Sequence, residues 1–216
     1  MTTTHAPGPS LAERAYLTIR DMIVSLDLPP GAVVDERGLM ERLSIGRTPT
    51  REALKRLGQE NLVEVFPRRG MFVTRIEIRD LAEISELRVV LEGEAARLAA
   101  LRASASERAS LASLVDELAE TTDLEPSGLM ALDERVHRSI AHAAGNRYLE
   151  EEIARHYVLA LRIWYLALDR TSELGTAVGE HRHVLEAILD GDGPRATTLM
   201  HEHVRGFENA IRAVLA

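Results

Sequence analysis

The stretch Pro30 to Val73, PGAVVDERGLMERLSIGRTPTREALKRLGQENLVEVFPRRGMFV, decides how the rest of the chain is read. Glu36 to Leu43 reads as a short helix and Ser44-Ile45-Gly46 as a tight turn. Thr48 to Asn61 reads as a second helix, whose first turn accepts Pro49 because an N–H there has no helical partner to lose. Two β-capable runs follow, Leu62 to Phe66 and Met71 to Arg75, separated by Pro67-Arg68-Arg69-Gly70, which makes a hairpin with a basic tip. Helix, turn, helix, hairpin is the order of a winged helix-turn-helix, where the second helix enters the DNA major groove. Arg47, Arg51 and Lys55 recur at four-residue spacing and share one helical face, and two arginines at its start can fork onto guanine O6 and N7. Thr48 and the helix N-terminal amides suit phosphates, and Arg37 on the preceding helix is a further contact candidate. Arg68 and Arg69 stand at the wing tip, while Gly70 lets backbone approach a minor groove. An isolated basic stripe usually only solvates a helix; this one comes with a turn and a wing.

Working outward, Ser10 can cap a first helix through about Leu26, with Ala15, Ile19, Met22, Ile23 and Leu26 at helical spacing, before Pro29-Pro30-Gly31 breaks it. Residues 1–9 read as a disordered arm, lacking the basic start and apolar run of a secretory signal, so a cytoplasmic location is expected. From Ile76 onward strand signals stop. Amphipathic helices are expected at 78–103, 105–121, 126–144, 147–170, 173–190 and 193–214, punctuated by Asp123-Leu-Glu-Pro, Gly145-Asn146 and Gly191-Asp192-Gly193-Pro194. The expected fold is mainly α: a winged helix-turn-helix at 10–75 and an antiparallel all-α bundle of about six helices at 76–216.

Composition agrees with a soluble two-domain chain, with 45% hydrophobic and 28% charged residues in 216. No apolar run nears the roughly 20 residues of a membrane span. The absence of cysteine excludes disulfides, thiolate metal sites and cysteine nucleophiles. A net charge of −8 argues against a nucleic-acid partner only until it is divided. Residues 1–75 carry 11 Lys and Arg against 9 Asp and Glu, net +2, whereas the remaining 141 carry 15 against 25, net −10. DNA contact therefore belongs to the N-terminal third.

The eight histidines separate by helical phase. His137 lies with Ile140 and Ala141 and four residues after Asp133; His181 lies among Val178, Val184, Leu185 and Ile188; His203 lies between Met200 and Phe207. These three point inward from three helices. His142, His183 and His201 take the phases of charged neighbours and point outward, and His156 falls between the two groups. A single inward histidine is commonly a satisfied core residue. Three converging with a carboxylate suit a divalent cation such as Zn²⁺, Ni²⁺ or Mn²⁺.

With these motifs in place, the N-terminal stretch resembles the DNA-binding domain of the GntR superfamily, through RTPTREAL at Arg47 to Leu54 and RRGMFV at Arg68 to Val73. The likeness implies that Arg37, Arg47 and Arg51 read bases or nearby phosphates, that Thr48 holds backbone and that Gly70 lies in the minor groove. Two positions depart from the pattern: Ser44-Ile45-Gly46 replaces a usual Gly-Val-Ser, and Thr50 replaces a usual Val. The C-terminal part resembles the FCD ligand-binding domain of the FadR subfamily, in its VanR-like branch, through ISELRVVLEGEAARLAA (Ile84 to Ala100), LDERVHRSIAHAAGN (Leu132 to Asn146) and EHRHVLEAILDGD (Glu180 to Asp192). It implies metal ligands at Asp133, His137, His181 and His203, and a carboxylate-bearing metabolite completing the coordination. Arg88 is the candidate partner for that carboxylate, against the alternative of an ion pair with Glu92 one turn later. Arg162, Trp164 and Tyr165 are candidates for the pocket wall.

The leading expectation is a homodimeric repressor on an inverted-repeat operator, with ligand binding shifting the spacing of the reading heads. One alternative is a metal-dependent hydrolase-like enzyme fused to a DNA-binding module, disfavoured because no inward Glu or extra His stands out as a general base. The other is an architectural DNA binder with a structural metal.

Overall fold

A computed structural model describes residues 8–119, 124–167 and 174–215. Residues 1–7 of the expected arm, and the expected helix ends at 120–121, 168–170 and 173, lie outside the described residues. The chain divides into two compact units, Met1–Ile76 and Glu77–Ala216.

In the first unit, α1 (Leu11–Val24) starts at Ser10, whose hydroxyl accepts from the Glu13 N–H at 3.1 Å. Asp35 caps α2 (Glu36–Leu43) by accepting from the Arg37 N–H at 3.1 Å. Ser44 ends α2 in the left-handed region, φ 53°, and Gly46 begins α3 (Arg47–Gln59) without a side-chain cap. Thr50 is fully buried and donates to the Gly46 carbonyl at 2.9 Å, which ties that uncapped first turn together. Strands β1 (Val63–Phe66) and β2 (Gly70–Val73) pair antiparallel, Val63 opposite Val73 and Phe66 opposite Gly70, and Val33 bridges Phe72 as a short third edge. The second strand is shifted from the expected 71–75: Gly70 pairs with Phe66, while Thr74 leaves the ladder and its hydroxyl donates to the Asn61 carbonyl at 2.8 Å. Ile19, Ile23, Leu39, Leu54, Leu57, Leu62 and Val73 fill the core.

The second unit holds six helices, α4 (Ile78–Arg102), α5 (Ala105–Leu118), α6 (Pro126–Ala143), α7 (Arg147–Ala167), α8 (Leu174–Leu189) and α9 (Gly193–Leu215). Capping boxes start two of them, Glu77 with Asp80 and Ser104 with Glu107, and Pro126 occupies the first turn of α6. Gly145 and Gly191, φ 65° and 77°, end α6 and α8 in the left-handed region, as helix C-termini require. Helix α4 packs against α6, α7, α8 and α9, which explains why its buried residues surround much of its circumference. Its approach to α9 is close at Gly93, where the His201 ring fills the space a side chain would take and Thr197 Oγ1 donates to the Gly93 carbonyl at 3.1 Å. His201, expected to face outward, is half-buried in that contact.

Candidate nucleic-acid interface and candidate metal centre

On α3, the apolar residues Ala53, Leu54 and Leu57 turn into the core, and this fixes the opposite side toward solvent. Arg47, Thr48, Arg51 and Lys55 are all exposed there. Arg51 Nε donates to Glu36 at 2.8 Å and Arg37 Nε to Glu41 at 3.0 Å, so two of the basic candidates rest in exposed ion pairs, each of modest strength. At the hairpin, Pro67 and Arg68 form the turn closed by the Arg69 N–H to Phe66 carbonyl bond of 3.0 Å, and Arg68, Arg69 and Gly70 are exposed. Arg68 holds φ 64° and Gly70 φ 104°.

In the helical unit, α6, α8 and α9 bring Asp133, His137, His181 and His203 together. All four are buried, and one ligand atom from each lies within 4.8 Å of the others. His142 and His183 remain outside, mostly exposed beside Glu150 and Glu186. His156 is half-buried, with Nδ1 against the Glu152 carbonyl at 2.8 Å.

The partners of the cluster set its protonation pattern. His181 Nδ1 lies 3.0 Å from the Val178 carbonyl, which only accepts, so Nδ1 carries the hydrogen and Nε2 is a bare lone pair. Glu92 Oε2 abuts His137 Nδ1, which places that ring's hydrogen likewise. The two Nε2 atoms then face each other at 3.0 Å. Unless one of them carries a hydrogen their lone pairs repel, and a cation between them relieves the repulsion. On His181 a proton is disfavoured, because burial first and His137 second hold its pKa down to about 4. Burial, followed by His181, lowers His203 as well. Among the described residues, Asp133 Oδ1 and His203 Nδ1 have no hydrogen-bond partner, and Glu92 Oε2 and His137 Nδ1 meet as a close ion-pair contact without hydrogen-bond alignment. A buried carboxylate oxygen without a donor, facing three imidazoles, fits a divalent metal.

Two further residues complete the setting, and neither was identified as a site residue from the sequence. Tyr157 on α7 donates its hydroxyl to Asp133 Oδ2 at 2.6 Å; burial first, then Asp133, raises its pKa well above the phenol range. Its signal was helical phase with Ile153, Ala160 and Trp164. Glu92 on α4 is 2% exposed and accepts from Arg88 Nε at 2.5 Å. Burial opposes its ionisation, but Arg88 and His137 more than compensate and hold it below the usual carboxylate range. Glu92 is an inward glutamate that the sequence did not single out, because helical spacing alone cannot tell a buried carboxylate from a solvated one. Glu92 is already engaged by a guanidinium and an imidazole, so it is poorly placed to act as a general base.

A cavity of about 10 Å³ adjoins the cluster, lined by Arg88, Asp133, Tyr157, Ala160, Leu161, Trp164, His203 and Phe207. That is room for about one water. Arg88 and Trp164 thus reach its wall. Arg162, buried with its pKa lowered by desolvation to about 10, and Tyr165, half-buried, are not among the residues that line it.

A reading helix whose basic side faces solvent, carried on a winged domain and joined in one chain to an α-helical unit, defines a DNA-binding transcription regulator. Residues 11–73 match the family described as bacterial regulatory proteins, gntR family, and residues 83–206 match the FCD domain. The chain is 33% identical to an HTH-type transcriptional regulator in an unstable DNA locus of Streptomyces ambofaciens, over 93% of this chain and 85% of that one. It is 34% identical to the Nta operon transcriptional regulator of Aminobacter aminovorans, over 90% and 91%, and 22% identical to the HTH-type transcriptional repressor RspR of Escherichia coli, over 96% and 92%. The solved structure of E. coli McbR/YncC shares the fold with a TM-score of 0.85 and 22% identity, covering 96% of this chain and 100% of that one. The chain belongs to the GntR family of bacterial regulators and carries an FCD domain as its C-terminal part. Its relatives are regulators, not enzymes. No helix among the described residues is long and apolar enough to cross a membrane.

Proposed function

We propose that this regulator is a repressor that binds an inverted-repeat operator as a homodimer, one α3 per half-site, and that a carboxylate-bearing metabolite entering the helical unit lowers its operator affinity with the help of a divalent metal. Arg47 and Arg51 read base edges, Thr48, Lys55 and Arg37 hold phosphates, and Arg68, Arg69 and Gly70 enter the minor groove. Arg68 supports the wing assignment. A non-glycine residue in the left-handed region costs about 1–2 kcal/mol, so a guanidinium kept where glycine would be easier points to a use for its charge.

The observation that carries the sensing half is the buried cluster of Asp133, His137, His181 and His203, with its confronted imidazole nitrogens and a carboxylate oxygen without a donor. Zn²⁺, Ni²⁺ or Mn²⁺ suits that donor set, and the bound ion supplies Lewis-acid attraction for a carboxylate oxygen. Tyr157 orients Asp133, Arg88 and Trp164 wall the entry, and Arg162 and Tyr165 flank them on α7. Because the cavity has room for about one water, an organic acid requires α7 and α9 to part, and that displacement is the means by which occupancy is felt elsewhere in the protein.

A gel-shift titration tests this reading. Metal-loaded protein is held at half-saturation of its operator and exposed to sugar acids, citrate-like acids and aromatic acids, alone and after chelator treatment. The expected result is release by one class of acid, abolished when metal is stripped. Operator affinity indifferent to every acid and to metal removes the sensing half of the proposal.

A further inference from the structure

We propose that Glu92 is a positioning residue for the histidine cluster: it holds His137 by its Nδ1–H, so that Nε2 is presented to a divalent cation, and it keeps the Arg88 guanidinium occupied. The inference rests on the reading of the cluster as a metal centre. Glu92 comes from α4, a helix that contributes none of the four candidate ligands, and it is 2% exposed. Its two oxygens are divided, Oε2 against His137 Nδ1 and Oε1 accepting from Arg88 Nε at 2.5 Å. An ionised carboxylate can only accept, so the contact calls for a hydrogen on Nδ1.

The competing state is visible in the same geometry. Without Glu92, the His137 hydrogen can move to Nε2 and be donated to His181 Nε2, 3.0 Å away. The cluster would then close on itself through a histidine–histidine hydrogen bond, which a metal must break before it can bind. Glu92 biases the pair toward the open arrangement, as carboxylates behind metal-bound imidazoles do elsewhere. Arg88 has a matching part. A buried carboxylate needs a fixed counter-charge, and the guanidinium beside Glu92, 4% exposed, supplies it. An incoming acid therefore meets an Arg88 already engaged, and the metal becomes its principal anchor.

The test uses the full chain with Glu92→Gln, and a double variant Arg88→Met/Glu92→Gln that removes the buried charge pair whole, in case the single variant folds poorly. Zinc affinity is measured by competition with a chromogenic chelator, and the His137 ring state by ¹⁵N NMR of metal-free protein. Expected are Nδ1–H on His137 in the parent protein, a shift toward Nε2–H in both variants, and zinc binding weakened about 10- to 100-fold. A purely structural Glu92 would lower thermal stability and leave the ring state unchanged. Zinc affinity in both variants within about twofold of the parent, or His137 protonated on Nε2 in the metal-free parent, overturns the proposal alone. A parent protein that takes up no zinc, nickel or manganese overturns the metal reading, and this proposal falls with it.

Discussion

On the proposed reading, Arg51 has a contact with Glu36 that DNA must displace. Its ion pair with Glu36 is exposed and therefore worth little, so DNA can recruit the guanidinium at small cost. If Arg51 reads a guanine, Arg51→Ala weakens operator binding by about 5- to 100-fold and relaxes specificity at one base pair, as fluorescence anisotropy with a set of mutated operators would show. An unchanged affinity would place Arg51 outside the interface. Tyr157 is the corresponding residue of the buried cluster. Tyr157→Phe removes the hydroxyl donor on Asp133 Oδ2 and should cost about 2 kcal/mol in urea unfolding of metal-free protein.

Among the elements, helix boundaries were legible because their signals are local. Ser10, Asp35 and Ser104 cap, Pro126 starts a helix, and Gly145 and Gly191 end two others where the sequence reading put its breaks. The inward phase of His137, His181 and His203 was legible for a similar reason: each has apolar neighbours three and four residues away on its own helix. What escaped reading depends on neighbours from other elements. Glu92 is four residues from Arg88 whether the pair is solvated or enclosed, and α4 is enclosed by four other helices. His201 shares its phase with Thr197 and Thr198, yet it is covered because Gly93 lets α4 come close. Gly93→Ala must displace the His201 ring, which can swing aside, and should destabilise the helical unit by about 1 kcal/mol, measured by chemical denaturation. The glycine would be dispensable if the variant matched the parent.

At the scale of the molecule, acid sensitivity should originate in the helical unit. His181 holds a pKa of about 4 in the fold against about 6.5 in an unfolded chain, so between these values the unfolded state takes up a proton that the fold refuses. This contribution is intact above pH 6.5 and is lost as pH falls toward 4, amounting to about 3 kcal/mol for metal-free protein. His203 acts in the same direction, and Glu92 adds to the loss only once pH drops below the ordinary carboxylate range. Urea unfolding at pH 7.5, 6 and 5 would show the decline; a flat profile would mean the imidazoles are hydrated. The candidate ligands also sit on three separate helices, 70 residues apart at the extremes. One ion shared among them would rivet distant lengths of backbone, as a cross-link does. Starving a cell of that ion would then do more than silence a sensor. It would loosen the whole C-terminal unit and hasten its digestion by proteases, so the regulator's abundance would itself register metal supply, which pulse-chase turnover in chelator-treated cells can measure.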